Sequence, residues 1–461
     1  MPLRYRAAIS RKADLGWENH TFKLNSLFPQ RWQRNCLPRL EINTEFIAVG
    51  VGADMYIHWI PDQQHPGLFT KNANNQKEVY WRMYNLGIHG REDITEIIAI
   101  PGESTEFIVS QANGSIRHLR FSLDDNTVEI KRVFQHQMAI IRSLARTDEY
   151  LVALSSTSPS THQISFYPLN QTEEDGSTLS PSITPVHTES PPMTEPWQSP
   201  PRENHLVITP DFTTDYPTRP WQSVFLDPTT LALGSTTPSA LSIYTFRPDS
   251  HQTPMTQLRQ LYSHGAKLSG LTDVPLNKTS IYALHKYAPS MLLSGWYHGP
   301  ANLHDLRSPS AYPVIALNDP IDDGAAYSIS TDGGHRVLVG GAQHGLIKIF
   351  DLRMPHHGWS IYPGRERSPV YAIRGEHSRI FAATEGMLWE CDLSTRPSPR
   401  KEDDRDWRRR GNQRGRGWGW GWGGSTEKVG GHVRLHYGPE KLYREDGSEI
   451  GKASATGVMA V

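Results

Sequence analysis

Residues 326–353, AYSISTDGGHRVLVGGAQHGLIKIFDLR, read as three short strands in succession. Residues 326–330 alternate apolar and polar. A Gly-rich turn follows at 331–334, and an apolar run at 337–340 ends on Gly341. Residues 346–350 alternate again and stop at Asp351-Leu352-Arg353. Strands of this length between Gly, Asp and His turns predict an antiparallel meander. One meander cannot cover both of its own faces, so its presence predicts copies elsewhere in the chain.

The copies are present. One begins at Pro369 (PVYAIRGEHSRIFAATEGMLWECDLS) and one at Ser280 (SIYALHKYAPSMLLSGWYHGPANLHDLRS). Tyr282, Tyr327 and Tyr371 hold the same place in the first strand, 45 and 44 residues apart. Gly299, Gly345 and Gly386 each stand six residues before an Asp: Asp305, Asp351 and Asp392. Gly suits a tight hairpin turn because it takes positive φ without a Cβ clash. The Asp closes the third strand, where its carboxylate accepts turn N–H groups or meets a His.

Earlier units follow the same rule. Strands are predicted at 45–52, 55–60 and 79–86, then at 94–100, 106–110, 115–123 and 127–134. A third unit covers 139–145, 150–154 and 163–167, and a fourth 221–226, 230–234, 240–246 and 257–262. Ile94 and Ala139 are again 45 residues apart. A period near 45 with four short strands predicts an all-β, seven-bladed β-propeller over residues 43–395. The last unit lacks a fourth strand after Asp392. Within the N-terminal segment 1–42, residues 20–28 are predicted to supply it, which removes an open sheet edge. A helical reading of 4–15 has little support in the pattern.

Two stretches break the repeat. In 170–220, ten of 51 residues are Pro, with Ser and Thr around them. Such a composition cannot bury a core and predicts a disordered insertion. It carries Ser-Pro or Thr-Pro at Ser180, Thr184, Ser190, Ser199 and Thr209, sites open to proline-directed phosphorylation. After Thr395, residues 396–416 hold nine Arg or Lys and four acids, and GWGWGWGG follows at 417–424. Residues 396–461 are predicted to be a low-complexity tail, with one stray strand within 431–443. Arg408, Arg409, Arg410, Arg414 and Arg416 beside Trp418, Trp420 and Trp422 combine charge with stacking planes, the chemistry of single-stranded RNA binding.

The 461 residues carry a formal net charge of −1, which gives no global pull toward nucleic acid or anionic membranes. Two cysteines, Cys36 and Cys391, exclude a disulfide framework and fit a reducing cytoplasmic or nuclear compartment. No apolar run of about 18 residues occurs, so no membrane span is expected. The strand endings Phe350-Asp351, His304-Asp305 and Cys391-Asp392 resemble degenerate Trp-Asp dipeptides of WD-repeat proteins. Within that family, the run 17–28 (WENHTFKLNSLF) and the two Asp-Leu-Arg endings resemble the propeller part of fungal F-box/WD-repeat proteins. The resemblance implies a protein-interaction scaffold, a substrate-recognition or adaptor subunit of a cullin–RING ubiquitin ligase, with ligase subunits among its partners. Residues 1–42 show no Leu-Pro opening and no three-helix F-box pattern. The alternative is an RNA-associated protein acting through its tail.

No G-x-S-x-G, H-E-x-x-H or C-x-x-C occurs, and the Gly447–Lys452 run is one residue short of a phosphate loop. No enzyme activity, cofactor or metal site is expected. The 21 histidines, among them His285, His298, His304, His335, His344, His356 and His357, spread over turns of different units. The informative surface is the upper face, formed by turns between second and third strands. Those turns hold Asn113, Trp296-Tyr297-His298, Gln343-His344 and Glu385, the candidate protein-binding residues. Trp and Tyr are common interface anchors. Trp296 has two fates open, anchor or packing against the next blade.

Overall fold

The computed structural model describes residues 3–18, 22–27, 32, 36–43, 45–60, 81–122, 127–136, 139–170, 206–236, 240–247, 255–263, 279–319, 322, 324–361, 368–394, 435–437, 442–443 and 449–451. Their strands form seven sheets, the blades of a propeller. Blade 1 contains Arg39–Ile42, Phe46–Val51, Asp54–Trp59 and Arg82–Asn85. Blade 2 contains Ile94–Ala99, Glu106–Gln111, Ile116–Phe121 and Val128–Phe134, and blade 3 Ile140–Arg146, Tyr150–Ser156, His162–Pro168 and Phe212–Tyr216. Blade 4 contains Pro220–Asp227, Thr230–Ser235, Leu241–Phe246 and Met255–Leu261, and blade 5 Ile281–Ala288, Met291–Trp296, Ala301–Asp305 and Ile315–Leu317. Blade 6 contains Ala326–Thr331, Arg336–Gly341, Ile347–Asp351 and Met354–Ile361. Blade 7 contains Val370–Glu376, Arg379–Thr384 and Leu388–Asp392. The first strand of each blade lies beside the first strand of the next, and blade 7 meets blade 1, so the ring closes.

Burial follows from this geometry. A second strand is covered by a neighbouring blade on each side, so Phe46–Val51, Glu106–Gln111 and Arg336–Gly341 are buried at every position. Successive side chains point to opposite faces. Ile108 therefore joins the apolar core between blades 2 and 3, while Phe107 and Val109 join the core between blades 1 and 2. The pattern recurs around the ring, giving seven apolar cores, one per blade interface. Close approach of the blades calls for Gly340, where an added Cβ would stand 2.8 Å from Cβ of Val370 on the next blade. The Asp endings behave as expected: Asp305 and Asp351 accept the backbone N–H of Arg307 and Arg353 and pair with their guanidinium groups.

The fourth strand of blade 7 is Lys23–Ser26, antiparallel to Leu388–Asp392, with Leu24 opposite Cys391. The indole N–H of Trp17 donates to the His377 carbonyl at 2.7 Å, and Arg336 stacks on its ring. A helix, Leu3–Glu18, precedes this strand, which corrects the weak reading of 4–15. The first strand of blade 1, Arg39–Ile42, lies before the expected start of the propeller at 43.

The expectation of disorder through residue 220 is overturned for 206–220. Leu206–Ile208 pairs in parallel with the fourth strand of blade 2, and Phe212–Tyr216 is the fourth strand of blade 3. Ile208 and Tyr216 are buried in the cores on either side of blade 3. Thr-rich alternation suits an edge strand with one wet face, whatever the surrounding Pro content suggests. The rest of the insertion, 171–205, lies outside the described residues. In the tail, Leu435–Tyr437 adds to the outer strand of blade 6. The Arg/Trp run at 405–422, and with it the RNA reading, lies outside the described residues. Among the described residues no helix is long and apolar enough to cross a membrane.

Candidate protein-binding face

The innermost strands share a local irregularity. In six blades the register against the second strand slips by one residue near the strand start. The skipped residues are Thr95, Arg142, Trp221, Tyr282, Tyr327 and Tyr371. A bulge of this kind leaves one residue out of the ladder and re-aims its side chain. Repeated around the axis, it assembles the four aromatic ones, Trp221, Tyr282, Tyr327 and Tyr371, into an arc at the mouth of the central channel.

The arc is continuous. Trp221 meets Tyr282 edge-on at 5.3 Å between ring centres, Tyr282 meets Tyr327 at 5.0 Å, and Tyr327 meets Tyr371 at 5.6 Å. Tyr297, from the turn of blade 5, stands edge-on over Tyr282 at 5.8 Å and is 48% exposed. Burial, then the neighbouring rings of Tyr327 and Tyr297, push the Tyr282 phenol above its ordinary pKa. Burial and then Glu385 do the same to Tyr371. Tyr282 and Tyr371 are therefore neutral hydroxyls at pH 7, able to donate and accept. At the other end, Arg142 and Arg219 lie over the Trp221 ring, 5.8 and 4.3 Å from its centre. The indole N–H of Trp221 donates to Thr236 Oγ1, which holds the ring in place. Beyond it lies a cleft of about 470 Å³, lined by Asn113, Arg142, Ser156, Ser158, His162 and Arg219 among others.

The sequence candidates divide around this arc. Tyr297 belongs to it. Asn113 belongs to the cleft, its amide donating to Glu92 at 3.2 Å. Gln343 and His344 are exposed on the blade 6 turn, with His344 at φ 61. That turn reaches Glu385 through Ser368, whose carbonyl accepts from Gly345 and whose hydroxyl accepts from the Glu385 N–H. His298 turns toward blade 4, where its Nε2 meets Ser263 Oγ at 3.0 Å, and burial pushes its pKa down. Trp296 corrects the expectation of an exposed anchor. It ends the second strand, is 1% exposed, and packs in the core between blades 4 and 5. Its indole N–H donates to Ser294 Oγ at 2.9 Å, and that hydroxyl meets His304 Nε2 at 3.1 Å.

Trp296→Ala is therefore expected to cost about 3–5 kcal/mol, the usual range for emptying a buried aromatic site. Tyr297→Ala, which removes a half-exposed ring, is expected to cost no more than about 0.5 kcal/mol. Urea unfolding of the two variants measures both values. Equal losses would mean that the two rings do not play different parts.

Sequence did not mark Arg142, Trp221 or Arg219 as site residues. The tyrosine spacing was the available signal, but it marks the repeat and says nothing of the bulge. Among the described residues, no group of three or more His, Cys, Asp and Glu is placed to hold a metal ion.

No family model matches the chain. It is 32% identical over 108 residues to F-box/WD repeat-containing protein 4 of Mus musculus, covering 23% of this chain and 26% of that protein. Against F-box/WD repeat-containing protein 4 of Homo sapiens the identity is 28% over the same length, with the same coverage. The match thus spans about a quarter of these curated relatives. Raptor of Chaetomium thermophilum is similar in structure, with a TM-score of 0.50 at 13% identity, over 85% of this chain and 31% of that one. That likeness concerns the fold alone. The chain thus folds as a seven-bladed, WD-repeat-like β-propeller and is similar in sequence, over about a quarter of its length, to F-box/WD repeat-containing proteins.

Proposed function

We propose that this propeller is a protein-interaction scaffold that seats an extended peptide or loop of its partner across the upper mouth of the channel. The observation that carries the reading is the arc Trp221–Tyr282–Tyr327–Tyr371 with Tyr297 above it. Partly exposed aromatic rings held by their neighbours supply contact area at little entropic cost, which is what interface anchors need. Phenol hydroxyls along the arc offer hydrogen bonds to a peptide backbone. Gln343, His344 and Glu385 form a polar rim on the blade 6 and 7 side.

The finer part of the proposal is a substrate-recognition or adaptor role in a cullin–RING ubiquitin ligase of the F-box kind. Its support is the similarity to the two F-box/WD repeat-containing proteins.

The test is affinity purification with quantitative mass spectrometry, comparing the natural chain with Tyr282→Ala combined with Tyr297→Ala. Loss of two anchors of this class weakens binding by roughly a hundredfold or more. Partners recovered by the natural chain, cullin and adaptor subunits among them, are expected. Substrate-type partners should disappear from the folded double variant. Unchanged recovery of every partner would place the interface elsewhere, and absence of ligase subunits would remove the adaptor role.

A further inference from the structure

We propose that the Arg142–Arg219 end of the upper face is an anion subsite that takes two neighbouring carboxylates from an acidic segment of a partner protein. The inference rests on the peptide-binding reading above and names the chemistry of the peptide at one end of the arc.

Four observations carry it. Both guanidiniums lie over one ring, Trp221, and the Arg219 charge is near enough to act on Arg142. Among the described residues neither arginine takes part in an ion pair, whereas Arg307, Arg336, Arg353, Arg374 and Arg379 each have a carboxylate. Arg142 Nε is buried with no hydrogen-bond partner among the described residues. Such a donor is costly to leave unmet, and an acceptor brought by a ligand relieves that cost. The cleft beside it, about 470 Å³, has room for more than one side chain.

Among the residues that line the cleft the charge is set by the two arginines, with the Glu92 carboxylate behind Asn113 on the rim. His162 lines the cleft, but burial and then Arg219 and Arg142 push its pKa down, so it stands neutral, with Nδ1 3.0 Å from Ser156 Oγ. Two positive charges call for two negative ones. Each guanidinium fork takes one carboxylate in parallel N–H···O bonds. Asn113 and Ser158 on the rim add neutral hydrogen-bonding groups. An acidic pair entering here would leave the following residues to run along the aromatic arc.

Fluorescence anisotropy on the full chain tests this with three labelled dodecapeptides of one apolar sequence. They differ at two central positions: Glu-Asp, Gln-Asn, or phosphoserine-Asn. The Glu-Asp probe is expected to bind roughly tenfold tighter than its Gln-Asn twin, as charge-assisted hydrogen bonds at a partly desolvated site allow. That advantage should shrink with added salt, because screening weakens it. Arg219→Gln, at an exposed position where folding is undisturbed, should erase the advantage, and Arg219→Lys should restore only part of it.

Equal binding of the Glu-Asp and Gln-Asn probes, or an Arg219→Gln protein that still prefers Glu-Asp, overturns the subsite. Neither result touches the peptide-binding reading. A phosphoserine probe that binds tenfold tighter than Glu-Asp overturns the carboxylate assignment in favour of a phosphate. Loss of all three probes in the Tyr282→Ala, Tyr297→Ala protein supports the shared surface, whereas no binding of any probe by the natural chain overturns the subsite.

Discussion

Removal of residues 1–27 is expected to abolish the cooperative unfolding transition of the propeller. The deletion takes away the strand Lys23–Ser26 that completes blade 7, and with it the ladder to Leu388–Asp392. It also strips Trp17, Phe22 and Leu24 from the core between blades 6 and 7. Emptying a large buried apolar site costs about 3–5 kcal/mol for an aromatic and 2–5 for a Leu. Three such losses together are comparable to the whole stability of a domain, about 5–15 kcal/mol. The exposed edge of Leu388–Asp392 would further invite strand pairing between molecules. Calorimetry of the truncated chain should show no single sharp transition, and size-exclusion should show aggregates. A truncated protein that melts like the natural one would mean that blade 7 holds without its fourth strand.

The second large effect separates two parts of the Pro-rich insertion. Deleting 206–218 should unfold blade 3 and destabilise the ring. It removes the outer strand Phe212–Tyr216, the parallel strand Leu206–Ile208, and the buried side chains of Ile208 and Tyr216. Those two side chains alone represent about 5 kcal/mol or more. Replacing 172–203 by a short Gly/Ser linker should shift the melting temperature by only about 2 °C, since loop length enters the free energy logarithmically. Melting curves of the two deletions decide the matter. A large loss from the 172–203 replacement would show that this part also packs.

The repeat was legible because its markers are local. Gly299, Gly345 and the closing aspartates obey turn chemistry, and turn chemistry survives in any context. What escaped has physical causes. Arg39-Leu40-Glu41-Ile42 lies in the mixed N-terminal segment and shows no strand pattern, since two of its four residues are charged, yet it is an innermost strand. Its Glu41 pairs at 3.0 Å with Arg374 on the neighbouring first strand of blade 7. Burial likewise pushes the Glu96 carboxyl up on the neighbouring blade. Charge on an innermost strand is a consequence of the channel, which no local pattern reveals.

Trp296 escaped for a different reason. The strand Met291–Trp296 keeps Trp296 in the ladder opposite Ile281, and one residue decides which side of a sheet a side chain takes. The candidate binding face was half legible. Tyr297, Asn113 and the Gln343-His344 turn could be placed by counting strands. The arc itself arises from bulges in four of the first strands, and bulges depend on pairing between strands, not on one strand's composition.

Everything on the upper face depends on a ring of seven blades closed by its own N-terminal strand. The register sets Leu24 opposite Cys391. Cross-strand partners lie about 4.5–5.5 Å apart at Cα, within disulfide reach. Leu24→Cys in a Cys36→Ser background therefore leaves two thiols that only this closure brings together. Refolded in air and mapped by mass spectrometry after denaturing alkylation, the protein should yield a peptide in which residues 24 and 391 are joined by a disulfide. Recovery of both cysteines as separate alkylated thiols from folded protein would contradict the closure, and with it the arrangement of the face.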